Sequence, residues 1–567
     1  MSRPPLFTSL AGYQRSWLTP DLIAGLTVWA VLVPEALAYA TIAGVSPVVG
    51  LYAAPAALLL YAVFGSSKHL IVGPMSSTAA LSAAAVAALA AGGSHDFVAL
   101  TAGLAIATGV AGLVAGLARL GFLASFISQP VFKGFIVGLA MTIIVGQLPK
   151  LFGVPGGSGD FFEKCWDLIK NLPDTQGLTL LVGATSLATV ILLRRFAPKV
   201  PGSLVVVVLG VAAVKVFNLD QHGVEIVGPI QSGLPHVGLP DVSLSQYGKL
   251  AGAAMGILLV GFAEGLGAAK TYAARNHYTI DPNRELIGLG AANLGAGLTS
   301  GMVVNGSLSK TAVNGDAGAR TQLSGLIVAA LTILTLLFLT GLFEDLPEAT
   351  LAAVVVAAVI ELVNFKSLAR LYRVYTAHLG NIYGPVARPD FIGAMAALLG
   401  VLIFDTLPGL FIGIVVSVLL LVYRASRPNV ALLGRGDDGT WVDVSRNPSA
   451  KPEPGVVVVR PESGLFFANA DNVHTDIRAE LTQDTTAVVL DLQAVPTIDI
   501  SAVDMLVDLV DDLTEAHIRL FIARDIGQVS DLLRSAGDET LLDHLYPTVR
   551  EAVAACAHPP REPDASP

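Results

Sequence analysis

The sequence predicts an all-α membrane protein of about fourteen spans, built as an inverted repeat around two half-helices, with a cytoplasmic α/β domain at its C-terminus. Three observations lead there. Apolar runs follow one another from Leu22 to about Tyr423, most of them near the ~20 residues that cross a bilayer. Past Tyr423 the composition changes to alternating short strand and helix patterns. Two short motifs recur in the same order seven spans apart.

The composition fits a chain that avoids water. Of 567 residues, 53% are hydrophobic and 14% charged, whereas soluble domains carry about 25% charged residues. Spans are expected near 22–40, 47–64, 76–91, 97–117, 125–147, 178–195, 202–217, 249–270, 284–300, 308–318, 323–343, 347–362, 390–404 and 407–423. With the N-terminus cytoplasmic, the inside loops collect basic residues such as Lys68, Arg119, Arg194, Arg195, Arg275 and Arg370. The outside loops collect Asp96, Asp160, Asp167, Asp220, Glu225 and Glu344. Basic-inside bias of this kind sets topology, and one miscounted span would invert it for every later loop. Residues 1–21 lack the apolar core of a cleaved signal, so the expectation is a multi-pass plasma-membrane protein with both termini cytoplasmic. Residues 22–426 form the membrane region, 427–454 a linker, 455–557 the α/β domain and 558–567 a disordered tail.

In the first span, Glu35-Ala36-Leu37-Ala38-Tyr39-Ala40 resembles Glu264-Gly265-Leu266-Gly267-Ala268-Ala269 in the eighth. Ser76-Ser77-Thr78-Ala79 downstream of the first matches Ser309-Lys310-Thr311-Ala312 downstream of the second. An odd number of intervening spans gives the two halves opposite topology, as in many secondary transporters. Gly/Pro-punctuated, β-branched approaches, Ile71 to Met75 and Gly301 to Gly306, lead into the second pair. Irregular backbone at membrane depth requires a protein-lined or water-filled surrounding, so each approach is expected to deliver a half-helix whose N-terminus attracts an anion. Ser76, Ser77, Thr78, Ser309 and Thr311 would add hydroxyl donors, and Lys310 positive charge. The competing reading makes them ordinary caps and packing residues, with Lys310 snorkelling or paired elsewhere.

Glu35 and Glu264 lie inside apolar spans, where a carboxylate is a functional candidate by default. Each is expected to couple transport to a proton or a sodium ion, against a salt bridge with Lys270, Lys310 or Lys133. Pro34 should break the first span beside Glu35, and Tyr39, one turn on, shares its face.

The α/β domain reads as Val456 to Val459, a helix at 470–481, Ala487 to Leu492, a helix at 502–516, Arg519 to Ala523, and helices near 526–535 and 548–556. Cys165 and Cys556 are too few and too distant for a disulfide framework or a metal pair. No metal or other cofactor is expected, and no basic cluster suggests nucleic acid.

At these residues the chain resembles the sulfate permease (SulP) family, bacterial relatives of the eukaryotic solute-carrier anion exchangers. The matching segments are Asp21 to Thr27, Val33-Pro34-Glu35 to Ala40, Gly50-Leu51-Tyr52, Gly73-Pro74, Glu285 to Gly288 with Asn293, and Ser309 to Asn314. The C-terminal domain resembles a STAS domain, the anti-sigma-factor-antagonist fold, through Val489 to Leu492 and Ile498 to Ala502. The resemblance implies seven plus seven spans and substrate between the third and tenth helices. It also implies elevator-like alternating access, homodimers, and substrates such as sulfate, bicarbonate or dicarboxylates. Glu264 falls on the acidic position linked to cation coupling in some members. Glu35 stands where many members have Gln, which favours protons. Lys310 replaces a common Arg, losing its bidentate fork. Ala268 stands where sodium-dependent members tend to have a hydroxyl. Ile500 occupies the position often held by a phosphorylatable Ser, leaving Ser501 as the regulatory candidate against a purely structural docking role.

The leading expectation is therefore secondary active transport of a small anion with a proton, or else with sodium. A nucleobase–cation symporter and an uncoupled anion channel are the alternatives. No nucleophile elbow, metal-ligand cluster or nucleotide loop points to an enzyme.

Overall fold

Each of the fourteen apolar runs holds a helix among its described residues in the structure, a computed structural model. It describes residues 6–557 apart from 11, 91–93, 126–127, 158, 199, 364, 377–387, 405, 525–526, 537–540 and 542–543. The expected disordered tail, 558–567, lies outside the described residues. Cα packing divides the chain into two units, Met1–Tyr372 with Asp390–Ser417, and Arg373–Pro389 with Val418–Pro567.

The membrane-type region runs α1 (Leu18–Ile42), α2 (Pro47–Phe64), α3 (Ser76–Ala87), α4 (Ser94–Leu117), α5 (Gln129–Phe152), α6 (Phe161–Asn171), α7 (Gly177–Phe196) and α8 (Gly202–Phe217). It continues with α9 (Leu244–Arg275), α10 (Pro282–Leu298), α11 (Leu308–Asp316), α12 (Leu323–Phe338), α13 (Glu348–Val359), α14 (Phe365–Thr376), α15 (Arg388–Phe404) and α16 (Thr406–Ser426). Among the described residues, 7 helical segments are long and apolar enough to cross a membrane by length and composition. The amphipathic α6 and α14 are additional: their apolar residues alternate with charges at helical spacing, so a reading for long apolar runs passes over them.

Local chemistry sets the ends. Proline occupies the first turn of α2, α5 and α10, where its missing N–H costs nothing. Ser243 and Gln246 close a capping box at the start of α9. Gly153 ends α5 in the left-handed conformation, φ 66°. One expectation is corrected here: α1 runs through Pro34 without a break. A membrane helix surrounded by other helices tolerates an internal proline.

Packing relies on small residues. A Cβ placed on Gly50 of α2 would sit 2.0 Å from the Ala36 carbonyl oxygen, so α2 presses on the turn that carries Glu35. Gly109 and Gly112 of α4 meet Gly290 of α10 backbone to backbone. Two buried carboxylates tie distant loops together. Asp21 accepts from Arg320 N (2.6 Å), Thr321 N (3.1 Å) and Thr321 Oγ1 (2.6 Å) ahead of α12. Glu285 accepts from Tyr61 Oη (2.7 Å), Ser66 N (2.8 Å), Ser66 Oγ (2.7 Å) and Ser67 N (3.0 Å).

Two short strands interrupt this unit. β1 (Ile71–Gly73) pairs antiparallel with β2 (Asn305–Ser307), in the register Ile71 with Ser307 and Gly73 with Asn305.

The second unit holds one six-stranded sheet in the order β4-β3-β5-β6-β7-β8. Its strands are β3 (Val430–Arg435), β4 (Trp441–Asp443), β5 (Val456–Pro461), β6 (Ala487–Asp491), β7 (Arg519–Ala523) and β8 (Leu545–Tyr546). β5 to β8 are parallel, while β3 joins β5 antiparallel. Strand alternation divides the core. Val459, Val488, Leu490, Leu520 and Ile522 pack on α17 (Ala470–Ala479) and α18 (Ile500–Glu515), while α19 (Gly527–Ala536) adds Val529 and Leu533 to the same layer. Val458, Val489 and Phe521 face α20 (Val549–Cys556) on the other side. The stretch expected as a linker, 427–454, supplies β3 and β4. Its Gly, Pro and Asp punctuation is turn chemistry, with Gly439 at φ 80° between those strands.

Candidate functional site

The two extended approaches cross as β1 and β2, and each hands over to a short helix. The α3 N-cap is Met75, which offers no side-chain acceptor. At α11 the Ser307 hydroxyl accepts the Lys310 N–H at 3.3 Å and lies 3.1 Å from Ser309 Oγ. A helix start carries unsatisfied N–H groups and the positive end of its dipole. Both starts therefore bring partial positive charge to the ends of one two-stranded crossing.

Lys310 joins them. Its side chain is 1% exposed and its Nζ lies 2.8 Å from Glu35 Oε2. The same ammonium donates to the Pro74 carbonyl at 3.0 Å, just before α3, and sits 5.1 Å from the Tyr39 ring centre. The structure thus brings Glu35, Tyr39 and Lys310 together, taking the ion-pair option for Lys310 and Glu35. Desolvating two charges is offset here by a short contact, a further hydrogen bond and the aromatic face.

Glu264 sits one step away. Its Oε2 accepts from Ser77 Oγ at 3.0 Å and from Asn305 Nδ2 at 3.4 Å. The carboxylate therefore bridges α9, the first turn of α3 and strand β2 through one hydroxyl and one amide donor. Asn305 is a residue that sequence reasoning passed over; its signal was its place in the irregular approach to α11.

The remaining residues divide. Ser76 is buried, and Ser309 is exposed with its Oγ 3.1 Å from Ser307 Oγ. The Thr78 hydroxyl donates to Met75 O at 3.3 Å, and Thr311 Oγ1 accepts from Ile71 N at 3.1 Å. Thr311 is fully buried, so its hydroxyl serves the strand crossing. Ser501 belongs to the second unit, where it is exposed on the first turn of α18 beside Asp504.

A cavity of about 370 Å³ opens against this cluster. Thr27 and Glu35 of α1, Ser309 and Val313 of α11, and Arg194 and Ser203 from either side of the α7–α8 connection line it. Arg194 donates to the Ala357 carbonyl at 2.6 Å, holding the end of α7 to α13. In sequence Arg194 counts only as an inside-loop charge; the fold brings it to the lining of the same cavity as Glu35. No cluster of three metal-ligating side chains occurs among the described residues. The arrangement is suited to exchanging one anion for another at Lys310, because the Glu35 carboxylate already occupies that ammonium.

Residues 18–381 match the model of the sulfate permease family, and residues 447–552 match the STAS domain. A probable sulfate transporter of Mycobacterium tuberculosis is 36% identical over 550 residues, covering 96% of each chain. The high affinity sulfate transporter 2 of Stylosanthes hamata is 28% identical, over 94% of this chain and 83% of its own. Among solved structures, murine Slc26a9 in the inward-facing state superposes with a TM-score of 0.86 at 23% identity, over 97% of this chain and 94% of that one. The transmembrane domain of the cyanobacterial bicarbonate transporter BicA gives 0.60 at 23% identity, over 70% and 98%.

Proposed function

The chain belongs to the sulfate permease family, and on that premise we propose that it is a secondary active transporter of a small inorganic anion of the sulfate or bicarbonate class, driven by protons. The observation that carries this reading is the buried Glu35–Lys310 pair at the crossing of β1 and β2, next to a cavity that reaches Glu35 and Ser309. A proton arriving at Glu35 removes the carboxylate's charge and releases the Lys310 ammonium. An anion can then take that place, assisted by the N–H groups that open α3 and α11 and by the Ser76 and Ser309 hydroxyls. Loss of the proton restores the internal pair and expels the anion. Proton and anion thereby move together without a metal or another cofactor.

Glu264 is the second coupling position in this reading. Its bonds to Ser77 and Asn305 tie its charge state to both broken elements. Alternating access by an elevator-like movement of α1, α3 and α11 against α7, α8 and α13 is supported by the cavity's position between α1 and α11 on one side and the α7–α8 connection on the other. A plasma-membrane location, cytoplasmic termini and a homodimer complete the proposal.

The test is uptake of labelled sulfate, bicarbonate and fumarate into proteoliposomes holding the full chain. An acidic exterior should accelerate entry of at least one anion. Glu264→Gln should abolish that acceleration while leaving anion exchange at equal pH measurable. If a sodium gradient drives uptake and a pH gradient does not, coupling passes to sodium. Flux indifferent to both gradients would sink the coupled reading and leave a channel.

A further inference from the structure

α6, which like α14 no apolar run announced, links the end of α5 to the start of α7. Asp160 and Glu163 close a capping box at its first turn, so its start is fixed. At 3.6 residues per turn, its apolar side chains fill one arc of roughly 160°. Phe161 and Leu168 lie on the edge of that arc against the protein and are half-buried. Phe162, Trp166 and Ile169 continue the arc outward and are 54%, 63% and 58% exposed.

The polar arc is ordered as well. Lys170 lies beside Trp166 and Lys164 beside Leu168, at the two borders with the apolar arc, while Glu163, Asp167 and Asn171 fill the middle. Lysines at the borders can run their methylene stems along apolar surface and raise their ammonium groups to phosphate level. The helices on either side of α6 in the chain, α5 and α7, are long and apolar enough to cross a membrane, and exposed apolar residues follow α6. Leu172 follows α6 at 40% exposed, and α7 shows Leu181 and Leu192 at 59% and 54%.

We propose that α6 lies in the plane of the membrane, with Phe162, Trp166 and Ile169 sunk into the boundary between lipid headgroups and acyl chains, where α5 ends and α7 begins. The occupant of this face is the bilayer: α6 joins two helices long and apolar enough to cross it, and its lysines border the apolar arc on both sides. In that position α6 fixes the height of α5 and α7 while other helices move.

Site-directed spin labelling of the reconstituted full chain tests this. In a background with Cys165→Ser and Cys556→Ser, single nitroxides are placed through Phe162→Cys, Trp166→Cys and Ile169→Cys, and through Glu163→Cys, Asp167→Cys and Lys170→Cys. In phosphatidylcholine–phosphatidylglycerol vesicles, the first group should collide with oxygen several-fold more than with a water-soluble nickel chelate, and the second group should reverse that ratio. Nickel access equal across both groups would overturn the proposal, because the face then sits in water. Exclusion of both reagents from the first group would overturn it too, because protein, such as a second copy, then covers the face. Should labelling unfold the chain, fluorescence serves without it. Brominated lipids should quench a component that Trp166→Phe removes, and equal quenching in both proteins would count against the helix lying there.

Discussion

Asp21, Glu35 and Glu285 are buried in the membrane-type unit and Glu264 is partly so, and their partners separate them. Asp21 and Glu285 spend their oxygens on backbone N–H groups and hydroxyls that start the next element. Glu35 meets an ammonium, and Glu264 meets two side chains from the broken elements. Removing one partner of a buried pair leaves the other charge stranded, at a cost of about 3–5 kcal/mol, whereas removing both costs far less. Glu35→Gln alone should therefore lower the melting temperature in detergent more than Glu35→Gln combined with Lys310→Met. Additive losses in that cycle would show that the pair is not coupled. Glu285→Gln should destabilise as well, yet leave the pH dependence of uptake unchanged, which transport assays at matched protein levels can check. The sequence set Glu35 and Glu264 apart by their depth inside apolar spans, whereas Asp21 and Glu285 fall in the first turn of their helices.

At the scale of the element, the crossing of β1 and β2 decides whether the two helix starts share a site. Three residues per strand make little pairing energy on their own. The crossing therefore depends on side chains that complete it, above all Thr311 Oγ1 on the Ile71 N–H. Thr311→Val keeps the shape and orphans that donor, for an expected loss of about 1–3 kcal/mol. The melting temperature should fall and anion uptake should fall with it; an unchanged melting temperature would mean the strands hold without that bond. The extended character of both approaches was legible, because β-branched residues and glycines stood where helix formers should. Their pairing was not, since 230 or so residues separate them and period alone carries no information on long-range register. Likewise α6 and α14 were hidden, because bilayer-length hydrophobicity is a poor detector of helices that lie along a surface.

The whole molecule comprises two units with separate cores, so each should respond to truncation on its own terms. In the second, β3 covers the edge of β5, whose Val456 to Val459 are apolar. A fragment of residues 427–557 should fold alone, with dispersed amide resonances and a cooperative transition. A fragment of 455–557 would expose the β5 edge and should be less stable and prone to associate. Equal stability of the two fragments would show that β3 and β4 are dispensable. Sequence alone determined the membrane class, the helical runs, the α/β pattern of the tail and the candidate residues Glu35, Glu264, Ser76 and Lys310, because those follow from hydrophobicity, period and local backbone preference. Only the tertiary structure decided that Lys310 pairs with Glu35, that Thr311 serves a strand, that Asn305 reaches Glu264 and that Arg194 faces the cavity. Those facts depend on which distant segments are pressed together, and one-dimensional pattern does not record the approach of side chains from opposite ends of a chain.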